Sequence, residues 1–126
     1  MRSVTVAFAT LAVIILAVCL NLLFLGNFVD DTLAMIDETI RLAQEDSFDQ
    51  ADQVFRQVTD KIEGTETYLS IILVHNEIDE IHLGIAKSTE YLEAHEMPEF
   101  MAEVRNLRIL IEHIRVLEEV SIRNIL

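Results

Sequence analysis

The chain has 126 residues and a formal charge of −13, from 22 Asp and Glu against nine Lys and Arg. This length allows one small domain beyond a membrane segment, and the charge argues against a nucleic-acid partner, since phosphate binding requires a basic surface. The acidic surface is either simply solvated or a docking face for a basic partner. Cys19 is the only cysteine, so an internal disulfide is excluded.

A hydrophobic stretch, residues 4–25, opens the chain and contains no charged residue. A bilayer core about 30 Å thick requires roughly 20 apolar helical residues, so the stretch predicts a single transmembrane helix. It is longer than the apolar part of a signal peptide and ends without a small-x-small cleavage site, which favours a retained anchor over a cleaved signal. We therefore divide the chain into an N-terminal anchor, residues 1–27, and an acidic helical-bundle domain, residues 28–126.

The charges that flank this stretch predict its orientation. Arg2 precedes it, whereas Asp30 and Asp31 follow it. Because cytoplasmic flanks carry the excess of basic residues, we expect the N-terminus inside and the soluble part outside a bacterial cytoplasmic membrane.

The first helix after the anchor is indicated by apolar residues at intervals of three and four. We expect a bend at Gly26 and Asn27, a helix start at Asp30 or Asp31, and an end near Asp46.

A second, longer helix follows. Ser47 and Gln50 match a capping box at its start. Gly64 interrupts the pattern, but the apolar phase continues beyond it, so we predict one helix that is bent or loosened at Gly64 and reaches about Val74. Residues 71–74 are apolar on all sides, and we expect neighbouring helices to bury them.

The third and fourth predicted helices complete the chain. A capping box from Asn76 to Asp79 begins the third helix, and Pro98 marks the start of the fourth. The fourth helix runs to about Leu117, and we expect residues 121–126 to form a short turn docked on the core.

The fold class is therefore all-α, with an N-terminal single transmembrane helix followed by a small antiparallel bundle of about four helices. No segment has the period-two alternation of a strand. Exposed apolar residues on this bundle would form a docking surface, and Leu42, Leu83 and Met101 are the candidates. The predicted inward-facing residues are Val29, Leu33, Ile36, Ile40, Ala43, Phe48, Ala51, Phe55, Val58, Ile62, Leu69, Ile72, Ile78, Ile81, Ile85, Leu92, Phe100, Val104, Leu107, Leu110, Ile111, Ile114 and Leu117.

One set of side chains could carry chemistry. On a continuous helix His75, Asp79 and His82 share a face, and two imidazoles with a carboxylate can bind zinc. However, a cap at Asn76 would separate His75 from the other two, and the spacing matches no established metal motif. The competing interpretation is that Asn76 and Asp79 cap a helix while the histidines pack or form pairs. No activated nucleophile or glycine-rich phosphate loop is present in the sequence, so we expect neither an enzyme nor a cofactor.

Three stretches in a fixed order give the chain a family resemblance. They cover residues 47–51, residues 75–81, and residues 110–114 with the closing residues 121–126. With these stretches the chain resembles the bacterial family called domain of unknown function 4363, and the likeness extends over nearly the whole chain. The residues that carry it most clearly are Phe48, Ala51, His75, Glu77, Ile78, Asp79, Glu112, His113, Asn124, Ile125 and Leu126.

The resemblance has departures and limits. Tryptophans are common in the first two soluble helices of that family and are absent here, and Arg115 stands where proline is frequent. The resemblance implies a membrane-anchored helical protein of unknown function, without an activity or a cofactor.

Two functional hypotheses remain after the sequence is read. The first is a non-catalytic protein-interaction or scaffold module tethered to the membrane, whose partner is another protein or a second copy of the chain. The second is a metal- or ligand-binding sensor or accessory domain that uses His75, Asp79 and His82.

Overall fold

The computed structural model describes residues 1–125, except the side chains at positions 118, 121, 122 and 125. Five helices make up the described secondary structure: α1 (Arg2–Gln44), α2 (Phe48–Gly64), α3 (Glu66–Ile72), α4 (His75–Glu93) and α5 (Met97–Ile125). Residues 1–125 contain no strand, and the prediction of an all-α chain with one long apolar N-terminal helix is confirmed.

Helix α1 carries both the apolar N-terminal segment and the first core face. Residues 2–20 are exposed on every side, whereas Leu25, Phe28 and Val29 are buried against the other helices. The predicted helix start at Asp30 or Asp31 is wrong, since α1 passes through both without interruption. The bend expected at Gly26 is absent for the same reason: one glycine costs a helix only about 1 kcal/mol, and burial of Leu25, Phe28 and Val29 outweighs that cost.

Helices α2 and α3 replace the single long helix that the periodicity predicted. Thr65 separates them with φ −106° and ψ 1°, and its N–H donates to the Ile62 carbonyl at 3.1 Å. The second helix begins after Ser47 as predicted, but the Ser47 side chain forms no cap. Instead its carbonyl accepts a hydrogen bond from the N–H of Ala51 at 2.9 Å. The start of this helix was therefore predictable, whereas its capping interaction was not.

Helix α4 begins earlier than the capping box at Asn76 predicted. The Glu77 carboxylate accepts a hydrogen bond from the Val74 N–H at 3.2 Å, so the helix starts at His75. It ends at Glu93, and His95 just beyond it adopts φ 57°, in the left-handed region that closes many helices. Asp46 does the same after α1, with φ 60°.

Helix α5 is longer than predicted. It begins at Met97 and extends to Ile125, so the turn expected at residues 121–126 is wrong up to that point. The predicted docking of this tail on the core depends on side chains that lie outside the described residues, at positions 121, 122, 125 and 126, while Arg123 and Asn124 are exposed.

The core lies between α1, α2, α4 and α5. Helix α1 packs on α2 and α5, α4 packs on α5 and α2, and the rings of Phe55 and Phe100 meet edge to face at 6.4 Å. All of the predicted inward-facing residues are buried or packed on this core. Because long apolar side chains at intervals of three and four can be removed from water only on one helix face, the pattern was sufficient to identify them.

The structure corrects the predicted surface at three places. Ile71 and Val74 were expected to be buried but are 78% and 65% exposed. Leu42 was expected on the surface but is buried, and Met101 is partly buried. Of the three surface candidates, only Leu83 is exposed.

Candidate functional site

The three candidate metal ligands occupy one continuous helix, so the separation of His75 expected from a cap at Asn76 is wrong. His75 and Asp79 are nevertheless exposed, and His82 is directed to a different helix, with Nε2 3.4 Å from a carboxylate oxygen of Glu66. Within the described residues, no group of three or more His, Cys, Asp or Glu side chains is placed to hold a metal ion. The arrangement therefore gives the sensor hypothesis no support.

The family-like residues on α2 and α4 have structural roles in this fold. The Phe48 ring stacks on the His95 ring with centroids 3.9 Å apart and planes 11° apart. This stacking joins the start of α2 to the end of α4. Ala51 and Ile78 lie in the core, and Glu77 caps α4.

Three of the family-like residues near the end of the chain, Glu112, His113 and Asn124, are exposed on α5, whereas the Ile125 side chain and Leu126 lie outside the described residues. Glu112 accepts a hydrogen bond from Arg108, which also donates to Asp37 of α1 at 3.0 Å. His113 is exposed, and it lines a cavity with Leu110. These contacts join helices, and they bring no reactive pair together.

A groove along the line where α4 and α5 meet is the most distinctive surface of the helical part. Leu83 is 55% exposed and Ile109 is 62% exposed, and both line one cavity of about 310 Å³. Gly84 contributes to the floor, because it is buried and its missing Cβ would lie 3.5 Å from Leu107. We call this surface the α4–α5 groove; its lining residues are Glu80, Leu83, Gly84, Lys87, Glu103, Asn106, Leu107, Ile109 and Leu110.

The α4–α5 groove continues toward the start of α4. A second cavity of about 310 Å³ shares Glu80 and Ile109 with it, and a third of about 440 Å³ shares Leu73 and Ile114 with the second. Along this line the apolar floor is bordered by Glu77, Glu80 and Glu103, and among the described lining residues Lys87 is the one lysine or arginine. The groove can therefore accept an apolar stripe with basic flanks.

The N-terminal half of α1 forms the second functional feature. Of the described helices, α1 alone is long and apolar enough to cross a membrane, with a mean hydropathy of 2.8 in its most apolar window. Only 6% of the residues in that apolar stretch are buried, so the other helices do not cover it as they would cover a core helix. A membrane span and a signal sequence both have these properties.

A polar contact joins this apolar segment to the helical part. The Tyr68 hydroxyl of α3 donates a hydrogen bond to the side-chain oxygen of Asn21, and the Tyr68 ring meets Phe24 edge to face at 5.0 Å. The sequence contained a hint of this contact, since Asn21 is a polar residue within a hydrophobic stretch, but no pattern identified its partner.

Ion pairs on the outer surface of α1 shift the pKa values of a carboxyl and of an arginine. A hydrogen bond from Arg41 lowers the pKa of the Glu38 carboxyl below its usual 4.5. The pKa of Arg108 is raised, chiefly by its hydrogen bond to Asp37. Both shifts stabilise the charged forms and belong to surface ion pairs, so neither indicates an acid–base catalyst.

The part of the chain that matches a known protein family coincides with the part whose helices pack together. A family model described as Domain of unknown function (DUF4363) matches residues 24–125, which begin where α1 starts to pack on the other helices. No curated protein and no solved structure matches the chain. The resemblance stated from the sequence is thereby confirmed, and the chain belongs to the DUF4363 family.

Proposed function

We propose that this protein is a non-enzymatic interaction module, tethered by α1 to the outer face of a bacterial cytoplasmic membrane. Its helices form an antiparallel bundle whose α4–α5 groove binds an amphipathic helix of a partner protein, and basic residues flank the apolar stripe of that helix. The observation that carries the proposal is the pair Leu83 and Ile109, two exposed aliphatic side chains on neighbouring helices that line one groove.

The order of the ion pairs between α1 and α5 supports the antiparallel arrangement. Asp30 pairs with Arg115, whereas Asp37, two turns further along α1, pairs with Arg108, about two turns earlier in α5. The chain position therefore rises along one helix while it falls along the other. Short connections between successive helices favour the same arrangement.

The charge distribution supports the tether's orientation and the partner's chemistry. Arg2 precedes the apolar segment, and all 22 Asp and Glu follow it. Basic residues remain on the cytoplasmic side of a membrane helix, so the acidic part belongs outside. A strongly acidic surface attracts a basic partner and disfavours a second copy of itself.

The apolar floor of the groove supplies the affinity. Full burial of an aliphatic side chain contributes about 1.5–3 kcal/mol, so covering Leu83 and Ile109 together is worth several kcal/mol before the entropic cost of binding. A helix laid into such a groove presents apolar residues at intervals of three and four.

Site-specific photocrosslinking in the native membrane tests this function. p-Benzoylphenylalanine is placed at Leu83 or Ile109 of the full chain, and Gln57, an exposed residue of α2, receives the same probe as the control. We expect one adduct of the same mass from positions 83 and 109, none from position 57, and loss of the adduct when Glu80→Lys and Glu103→Lys are combined.

The alternatives give distinct results in the same experiment. An adduct with twice the mass of the chain would show self-association, and it would overturn the proposal that the groove binds a basic helix of another protein. Equal adducts from positions 57 and 83, or none from positions 83 and 109, would overturn the groove as the binding surface. An adduct that survives the two Glu→Lys substitutions would overturn the role of charge.

A further inference from the structure

The segment around the end of α3 is unusual in this acidic chain. Residues 67–76 contain no Asp, Glu, Lys or Arg, whereas the next longest run without these residues after Asp30 is residues 81–86. Within the segment Ile71 is 78% exposed and Val74 is 65% exposed. Two large aliphatic side chains are therefore left in contact with solvent within a run that has no Asp, Glu, Lys or Arg, and Glu77, the first charged residue after it, lines the same cavity as both.

The exposed apolar residues beyond α1 are not distributed evenly. Among the described residues after Gln44, six large apolar side chains are exposed. Leu83 and Ile109 line the α4–α5 groove described above, whereas Ile71 and Val74 line the third cavity, at the far end of its continuation. The other four are Ile71, Val74, Val116 and Val120, and we call them the apolar rim.

The apolar rim lies at the end of the helical part from which α1 extends alone. Tyr68, one turn before Ile71, bonds to Asn21 and contacts Phe24. On α5, Arg115 pairs with Asp30, and Val116 and Val120 follow it in the direction of the exposed part of α1. The rim is thus adjacent to the point where the fully exposed apolar helix begins.

The length of the exposed helix places that point at a membrane boundary. Residues 2–20 are exposed on all sides, and 19 helical residues extend about 28 Å at 1.5 Å per residue. A hydrocarbon core is about 30 Å thick, so Asn21 falls at its outer edge when Arg2 lies at the inner edge. Tyr68 then lies at the level where amphipathic aromatic side chains concentrate.

We propose that the apolar rim is embedded in the headgroup and upper acyl region of the same bilayer that α1 spans. This inference rests on the proposed function only in requiring that α1 is a retained membrane helix. Exposed aliphatic side chains suit this layer, into which amphipathic segments insert their apolar faces. The contact is apolar, so it does not depend on anionic lipid. It seats the helical part directly on the membrane and limits the directions in which the α4–α5 groove can face.

Nitroxide depth measurements on the full chain test the inference. In a Cys19→Ala background, single cysteines are introduced as Ile71→Cys, Val74→Cys, Ile109→Cys or Leu11→Cys, labelled, and reconstituted in phosphatidylcholine vesicles. Ile109 is the matched control, because it is a similarly exposed aliphatic residue outside the rim. Leu11 reports on the membrane span itself. Collisional relaxation by oxygen, which concentrates in lipid, is compared with relaxation by a water-soluble nickel complex.

We expect the labels at positions 71 and 74 to be relaxed more by oxygen than by nickel, the label at 109 to show the reverse, and the label at 11 to be deepest. A deep label at 11 with labels at 71 and 74 as accessible to nickel as that at 109 would overturn the inference while the anchor stands. A label at 11 that is open to nickel would overturn the anchor and the inference together. Insertion at 71 and 74 only after phosphatidylglycerol is added would overturn its apolar basis.

Discussion

Tyr68 of α3 donates its hydroxyl hydrogen bond to Asn21 of α1, across 47 residues of sequence. Asn21 is the first residue of α1 that the other helices partly cover. The contact therefore lies where the exposed apolar segment of α1 meets the helical core, and it joins that segment to α3. It also joins α1 to the short helix that carries Ile71.

Loss of the Tyr68 hydroxyl should loosen α3. Tyr68→Phe keeps the ring contact with Phe24 and removes the hydrogen bond, which typically contributes about 0.5–1.5 kcal/mol. We expect faster amide hydrogen exchange in α3, measured by mass spectrometry on the full chain in lipid nanodiscs. Tyr91→Phe, on α4 near its far end, is the control and should leave exchange in α3 unchanged. Unchanged exchange in Tyr68→Phe would show that the hydrogen bond contributes nothing to holding α3.

Gly84→Ala should stabilise the helical part. A Cβ at this position would lie 3.5 Å from a Leu107 methyl carbon, which is ordinary van der Waals contact, and Gly in a helix interior costs about 1 kcal/mol relative to Ala. We expect the thermal unfolding midpoint of the full chain in nanodiscs, followed by circular dichroism, to rise by a few degrees.

The matched glycine for this comparison is Gly64, the last residue of α2, where a Cβ would meet nothing within 4 Å. Gly64→Ala should raise the midpoint less, since a helix terminus gains less from higher propensity than a helix interior. A lower midpoint for Gly84→Ala would mean that Leu107 cannot adjust and that α4 and α5 require a residue without a side chain at their contact.

The Arg108–Asp37 pair should couple α1 to α5. Its partners are partly exposed, so a double-mutant cycle with Arg108→Gln and Asp37→Asn should give about 0.2–1 kcal/mol, and less at high salt because the pair is screened. Chemical unfolding of the full chain in nanodiscs measures it. Arg56 and Asp52, an ion pair within α2, provide the comparison. Coupling that is unaffected by salt would exclude an exposed electrostatic contact.

Glu38 should titrate below its ordinary range. The hydrogen bond from Arg41 lowers the pKa of this carboxyl in the folded state below 4.5. As the pH falls, this carboxyl is therefore protonated in the unfolded state before it is protonated in the folded state. The small stabilisation from the pair is complete above pH 4.5 and is lost as the pH falls through the folded pKa. NMR titration of the Glu38 carboxyl carbon checks this, and Arg41→Gln should return the midpoint toward 4.5. A midpoint unaffected by Arg41→Gln would assign the shift to another cause.

Residue periodicity was sufficient to predict which residues pack in the core, but it did not predict where several helices begin and end. Apolar intervals identified the core on each helix because burial of a stripe requires only the spacing of residues within one helix. They did not reveal that α1 passes through Asp30, that α2 ends at Gly64, or that α5 continues past Leu117. Helix ends depend on small local costs, and tertiary contacts outweigh these.

By itself, the sequence determined the all-α class, the apolar N-terminal helix and the acidic remainder, since each follows from composition and local order, and particular stretches of residues carried the resemblance to the family. Only the tertiary structure decided which apolar residues stay exposed. Ile71 and Val74 belong to the most apolar run after the N-terminal segment, yet they face outward, while Leu42 is buried. Whether a side chain is covered depends on which other helices reach it, and that depends on contacts between residues far apart in the chain, such as Asn21 and Tyr68.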